Sequence, residues 1–130
     1  MSSSFNDQFT LDRADYLRKL DLLNWFRYYH LVKDVLHLGS TNILEIGSGS
    51  GMVRNCLTPL VREYRVLDIN PNLAPDWVAE VRELQSELTE RFDCVIAADV
   101  LEHLSFDDLG QTCANSTTYL KPGGHALITI

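Results

Sequence analysis

The sequence predicts an α/β fold built on a doubly wound, mostly parallel sheet, and two observations carry that expectation. The first is the stretch Ile43-Leu44-Glu45-Ile46-Gly47-Ser48-Gly49-Ser50-Gly51, an apolar run that flows directly into alternating glycines. The first four residues read as a buried strand. The glycines read as a tight turn where bare backbone comes close to a ligand and then opens a helix, the form of a nucleotide-cofactor turn. The second observation is that three more strand-like segments follow: Arg65–Asn70, Phe92–Ala98 and Leu120–Ile130. Apolar strands spaced by helical or turn segments belong to an open α/β sheet.

The glycine spacing narrows the cofactor. A dinucleotide fingerprint runs G-x-G-x-x-G, with an acidic residue about 20 positions on. Here the third glycine, Gly51, arrives one residue early, Met52 stands in its place, and Glu45 precedes the turn. This E-x-G-x-G-x-G pattern resembles the class I S-adenosylmethionine-dependent methyltransferases, in particular the methyltransferase type 11-like domain. Three segments extend the resemblance in the family's order: Arg65-Val66-Leu67-Asp68-Ile69-Asn70 as second strand, Phe92 to Leu104 as the fourth-strand motif, and Leu120-Lys121-Pro122-Gly123-Gly124 leading into strand five. It covers about Asn42 to Ile130. The fold it implies is Rossmann-like, with strand order 3-2-1-4-5, strands 6 and 7 absent, and an N-terminal helix in front.

Composition sets the outer bounds. At 130 residues the chain is one core's worth of protein, and 45% hydrophobic with 22% charged residues is ordinary for a soluble globular domain. No apolar run reaches membrane-spanning length, and the start has neither basic n-region nor h-region, so a cytoplasmic protein is expected. Cys56, Cys94 and Cys113 are widely spaced in apolar contexts and read as buried thiols, without a disulfide frame or a zinc site. The formal net charge is −7, and the whole excess lies in residues 41–130, which carry six basic and thirteen acidic side chains. Such a surface repels phosphate backbones, so nucleic acid is a disfavoured partner.

The organisation expected is an N-terminal helical segment over residues 1–40 and a cofactor-binding domain over 41–130 that stops inside strand five. Residues 1–9 are polar and expected to fray. Thr10 or Asp12 caps one long helix to about Leu38, closed by Gly39. Leu17, Leu20, Trp25, Tyr28 or Tyr29, Val32 and Val35-Leu36 form its apolar face. The Trp25–His30 cluster is either aromatic core or part of a substrate pocket.

Met52 to Thr58 form a short helix stopped by Pro59. Residues 75–90 read as helix or strand, and a short edge strand at Trp77–Val81 is favoured, with no helix between strands two and three. Ser105 caps the next helix, whose stripe of Phe106, Leu109, Cys113 and Leu120 is expected to dock on the sheet. Pro122-Gly123 suits the centre of a type II turn.

The resemblance also assigns roles. Backbone at Gly47, Ser48, Gly49 and Gly51 approaches the methionine and ribose portions of S-adenosylmethionine, and Glu45 helps hold its amino group. Asp68, with Ile69 beside it, is placed for the ribose diol, since one carboxylate accepts both hydroxyl hydrogen bonds. Glu80 and Val81 flank the adenine, and Ala98 and Asp99 face the transferable methyl. His103 is the candidate general base for an acceptor that must lose a proton. No metal site is assigned, although Asp99, Glu102 and His103 partly resemble the metal-binding segment of small-RNA terminal 2′-O-methyltransferases.

The expected function is transfer of a methyl group to a small-molecule acceptor. Two alternatives stay open: a non-catalytic or partner-completed cofactor-binding module, and a metal-assisted RNA 2′-O-methyltransferase. A complete family domain adds an antiparallel hairpin after strand five, so a fragment of a longer protein is expected. The apolar edge of Ala126 to Ile130 then predicts dimerisation or aggregation.

Overall fold

The computed structural model describes residues 10–130. The polar start, residues 1–9, lies outside the described residues. Five parallel strands form one sheet in the order β3-β2-β1-β4-β5, as expected. They are β1 (Asn42–Ile46), β2 (Glu63–Asp68), β3 (Trp77–Val78), β4 (Phe92–Ala98) and β5 (Leu120–Thr129). The chain winds outward from β1 to β3, then returns to lay β4 on the other side of β1. That reversal places a crevice at the carboxyl ends of β1 and β4.

The single long helix expected over residues 10–38 is two helices, α1 (Arg13–Arg18) and α2 (Leu22–Leu38). Asp21 makes the break: its backbone is extended and its side chain accepts the Asn24 amide at 2.9 Å, which starts a second helix. Asp12 caps α1 through a reciprocal capping box with Asp15. Gly39 ends α2 in the left-handed conformation, as expected.

On one sheet face, Leu31 and Val35 of α2 pack with Ile43, Tyr64, Val66, Cys94 and Ile96. Val53 and Leu57 of α3 (Met52–Leu57) complete that layer. The face of α2 turned inward is Tyr28, Leu31, Val32 and Val35, whereas Trp25 and Leu36 are exposed. Trp25 lies one turn before Tyr28, where the packing of α2 on this core begins.

β3 is shorter than expected. Only Leu67↔Trp77 and Asp68↔Val78 pair with β2, and Ala79 to Gln85 form a loop. Because pairing involves only the last residues of β2, the chain needs to step back by only about 7 Å, roughly two residues of strand rise. One 3₁₀ turn at Pro71–Leu73 does this, which is why no helix lies between β2 and β3.

Helix α4 (Phe106–Tyr119) starts at Ser105, whose hydroxyl accepts the Asp108 amide as expected. Its inward stripe, however, is Thr112, Asn115 and Tyr119, while Phe106 is 89% exposed and Cys113 is exposed. The loop after β3 lacks ladder partners, and α4 supplies them. Asn115 Nδ2 donates to the Val81 carbonyl at 3.1 Å, and the Gln85 amide donates to Tyr119 Oη at 2.9 Å. Asn115 and Tyr119, two of the three inward positions of α4, are therefore hydrogen-bonding ones.

Cys56 is also exposed, so only Cys94 is the buried thiol expected. Burial pushes that thiol up to about 12. Pro122-Gly123, expected at the centre of a type II turn, lie within β5, where Lys121–Gly124 bulge out between the pairs Phe92↔Leu120 and Cys94↔His125 and Gly123 takes φ +80. Among the described residues, no helix is long and apolar enough to cross a membrane.

Candidate functional site

A cleft of about 1230 Å³ opens at the carboxyl ends of β1, β2 and β4. Its floor is made by the three chain segments that leave those strands. Its far side is the loop after β3, and its roof is the end of α1 and the first two turns of α2.

The turn after β1 is held tightly. Gly47 donates its amide to the Leu67 carbonyl at 2.9 Å and has φ +75. A Cβ there would lie 2.6 Å from Val100 Cγ2, in the segment that leaves β4. Bare backbone is thus required both by conformation and by the approach of the two crossover segments.

Asp68 ends β2 and anchors this turn. It is 7% exposed, and its two oxygens accept the Ser48 amide at 3.0 Å and the Asn70 amide at 2.9 Å. Burial raises its carboxyl above the ordinary value of 3.8, while the Asn70 and Ser48 amides pull it down. Asn70 carries the order onward: fully buried, it donates from Nδ2 to the Leu11 carbonyl at 2.6 Å, fixing the approach to α1.

Glu45, near the end of β1, is 2% exposed and accepts a hydrogen bond from Tyr64 Oη at 2.9 Å. Burial pushes this carboxyl up from 4.5 to about 8, and the Asp68 charge adds to the shift. A buried acid with no cation in contact among the described residues is a ready partner for an ammonium group.

Beyond β4, Asp99 has φ +56 and accepts Arg27 Nη1 at 2.9 Å. His103 closes the 3₁₀ turn Leu101–His103, with its side chain 26% exposed and Nε2 3.9 Å from Glu102 Oε1. Among the described residues, Asp99, Glu102 and His103 do not assemble into a group able to hold a metal ion.

The cleft brings together Glu45, Gly47, Ser48, Gly49, Asp68, Ile69, Glu80, Val81, Ala98, Asp99 and His103. Gly51 is not among its lining residues. It caps α3 in the left-handed conformation, and a Cβ there would meet Arg13 Nε at 3.0 Å. Glu80 and Val81 reach the cleft from a loop and not from a strand. Glu80 Oε2 accepts Arg82 Nε at 2.5 Å, and Arg82 also lies 3.5 Å from Asp108.

Sequence reasoning missed Tyr16, Leu20 and Asn24 in the roof, which line the cleft together with Arg27 and Tyr28 of the cluster offered as a pocket wall. Of the Trp25–His30 cluster only Arg27 and Tyr28 line the cleft, three and four positions after Asn24 on α2; Trp25, Phe26 and Tyr29 are exposed. That spacing was a readable signal.

A family profile described as a methyltransferase domain matches residues 13–130, taking in α1 and α2 as well as the sheet. No curated protein matches the chain in sequence. Among solved structures, the N-methyltransferase NodS from Bradyrhizobium japonicum WM9, in complex with S-adenosylhomocysteine, is similar at 24% identity and a TM-score of 0.75. That match covers 83% of this chain and 62% of NodS. A Burkholderia thailandensis 1,6-didemethyltoxoflavin-N1-methyltransferase, bound to 1,6-didemethyltoxoflavin and S-adenosylhomocysteine, is 22% identical with a TM-score of 0.65, covering 89% and 59%. DesVI from Streptomyces venezuelae is 20% identical with a TM-score of 0.66, covering 92% and 58%. The chain thus spans 58% to 62% of the length of these three proteins, and at such identities the likeness speaks for the fold. The profile match runs over nearly all of the sequence, and the chain therefore belongs to the methyltransferase-domain family, the class I S-adenosylmethionine-dependent group that its glycine turn resembles.

Proposed function

We propose that this chain binds S-adenosylmethionine in the cleft and directs methyl transfer to a small-molecule acceptor. One observation carries the reading: two buried carboxylates, Glu45 and Asp68, flank a glycine turn within a single cleft. Those two acceptors fit a ligand with an ammonium group at one end and a ribose diol further along. Asp68 would hold the diol, Glu45 the ammonium, and the Gly47–Gly49 backbone the portion between, while Glu80 and Val81 border the adenine. The NodS and toxoflavin methyltransferase complexes, both with S-adenosylhomocysteine, support the choice of ligand.

When bound, S-adenosylmethionine supplies a methyl group on a sulfonium leaving group, so the protein's share is mainly positioning. Ala98 and Asp99 form the floor at the end of β4, and Tyr28 with Asn24 faces them from the roof. His103, at the cleft, is placed to take a proton from an amine or hydroxyl acceptor. The acidic balance of residues 41–130 supports a small molecule over nucleic acid.

Calorimetric titration with S-adenosylhomocysteine tests the reading. Binding is expected, and Asp68→Ala should weaken it by about tenfold or more, the worth of a charge-assisted hydrogen bond. Preference for NAD would overturn it. Binding without transfer to any member of an amine and hydroxyl acceptor panel, in the longest natural form of the chain, would favour a non-catalytic module.

A further inference from the structure

We infer that Tyr64, which does not line the cleft, positions Glu45 and governs its protonation, so that cofactor capture by this chain releases one proton. The inference rests on the cofactor reading above. Its geometry lies in the β1–β2 register: Ile43 pairs with Tyr64 and Glu45 with Val66. With a side-chain period of two, Glu45, Tyr64, Ile43 and Val66 share one sheet face. That face is the apolar layer beneath α2 and α3, so Glu45 stands at the end of an otherwise hydrophobic surface.

Within this layer Tyr64 is 9% exposed and its Oη donates to Glu45 Oε1 at 2.9 Å. One carboxyl oxygen is thereby fixed, leaving the other for the cleft that Glu45 lines.

The ionisable groups around Glu45 are few. Tyr28 faces it from α2, Arg54 from α3, and Tyr64 and Asp68 from β2, while Cys94 of β4 faces Tyr64. Arg54 acts only at a distance, its Nη1 directed to the Ala74 carbonyl at 3.4 Å. Burial and Asp68 favour the neutral acid; Tyr64 and Arg54 favour the carboxylate. At neutral pH the neutral form holds the majority. Glu45 gives up its proton to solvent when an ammonium group is placed beside it, and the carboxylate then has a charge partner.

The test is calorimetry with S-adenosylhomocysteine in two buffers of different ionisation enthalpy, which counts protons. Close to one proton should be released at pH 7, and affinity should rise by nearly tenfold from pH 6 to pH 7. Glu45→Gln should bind more weakly and release none. Tyr64→Phe, or Tyr64→Leu should the first not fold, removes the donor that favours the carboxylate, so the rise in affinity should move to higher pH. A merely structural role would weaken binding by the same factor at every pH, and that result would overturn the inference. So would pH-independent binding by the native chain, or a released proton that persists in Glu45→Gln, which would point to Asp68. Absence of binding at any pH sinks the cofactor reading itself; binding without proton release sinks this inference alone.

Discussion

Arg27 on α2 bonds Asp99 Oδ1 at 2.9 Å and the Ile130 carbonyl at 3.2 Å, so one guanidinium ties the roof of the cleft to the ends of β4 and β5. Little apolar packing backs this tie, because Leu22, Leu23, Trp25 and Phe26 on the same two turns are exposed. The rest of α2 is anchored by Leu31 and Val35 in the core. The roof is thus a locally weak part of a well-held helix.

Replacing Arg27 should loosen that roof with little effect on the fold. The pair is about a quarter to a third exposed, and such a bridge contributes about 1 kcal/mol or less. Arg27→Met should leave thermal stability nearly unchanged and speed hydrogen exchange in residues 20–28. Exchange that accelerates equally through Leu31 and Val35 would show that the roof and the core open together.

Gly47 should tolerate no side chain. Alanine would have to hold φ +75, at about 1–3 kcal/mol, and would also press its Cβ against Val100 Cγ2 at 2.6 Å. Gly47→Ala should therefore lower stability and abolish S-adenosylhomocysteine binding. Adding Val100→Ala should recover part of the stability, since it relieves the contact but not the dihedral. A double variant no more stable than Gly47→Ala would mean that the contact is not limiting.

Glu45 predicts an unusual pH dependence of stability. Its carboxyl shifts from 4.5 to about 8 on folding, so the folded state binds a proton more tightly than the unfolded chain. Its favourable contribution is complete below about 4.5 and is lost as pH rises through about 8. Chemical denaturation of the ligand-free protein should show this decline between those values. Glu45→Gln, which keeps an oxygen for Tyr64, should flatten the curve, and an unchanged slope would argue that Glu45 stays ionised.

The outer edge of β5 should promote self-association. β5 ends the sheet with no strand beyond it among the described residues, and Ile128 and Ile130 are 48% and 72% exposed. Sedimentation should reveal concentration-dependent association that Ile128→Lys reduces. A native chain that stays monomeric throughout would show the edge to be protected.

Much of this architecture was legible because its signals are local. An apolar run ending in Gly47 forms strand and turn wherever it occurs, and Asp68 follows its own strand, so β1, β2, β4 and β5 could be placed from the sequence. The capping residues Asp12, Ser105 and Gly39 likewise act on neighbours within a few positions. Asp21 is equally local, yet its capping power was hidden inside a continuous hydrophobic pattern. The Pro71–Leu73 turn replaces a helix because β3 pairs over only two residues, a fact about register that no local signal states.

By itself, then, the sequence determined the strands along the chain, the glycine turn and the two acidic residues beside it, since backbone conformation and hydrophobic periodicity operate over a few residues; the order of those strands in the sheet was implied by the family resemblance. Tertiary structure decided the rest. It turned Arg27 and Tyr28 to the cleft while leaving Trp25 outside, and it made α4 a hydrogen-bonding clamp for the loop that carries Glu80 and Val81. It also joined Tyr64 to Glu45, nineteen positions apart. The physical reason is the same in each case: burial, desolvation and hydrogen-bond completion depend on which surfaces meet, and that is set only when the sheet has closed its layers.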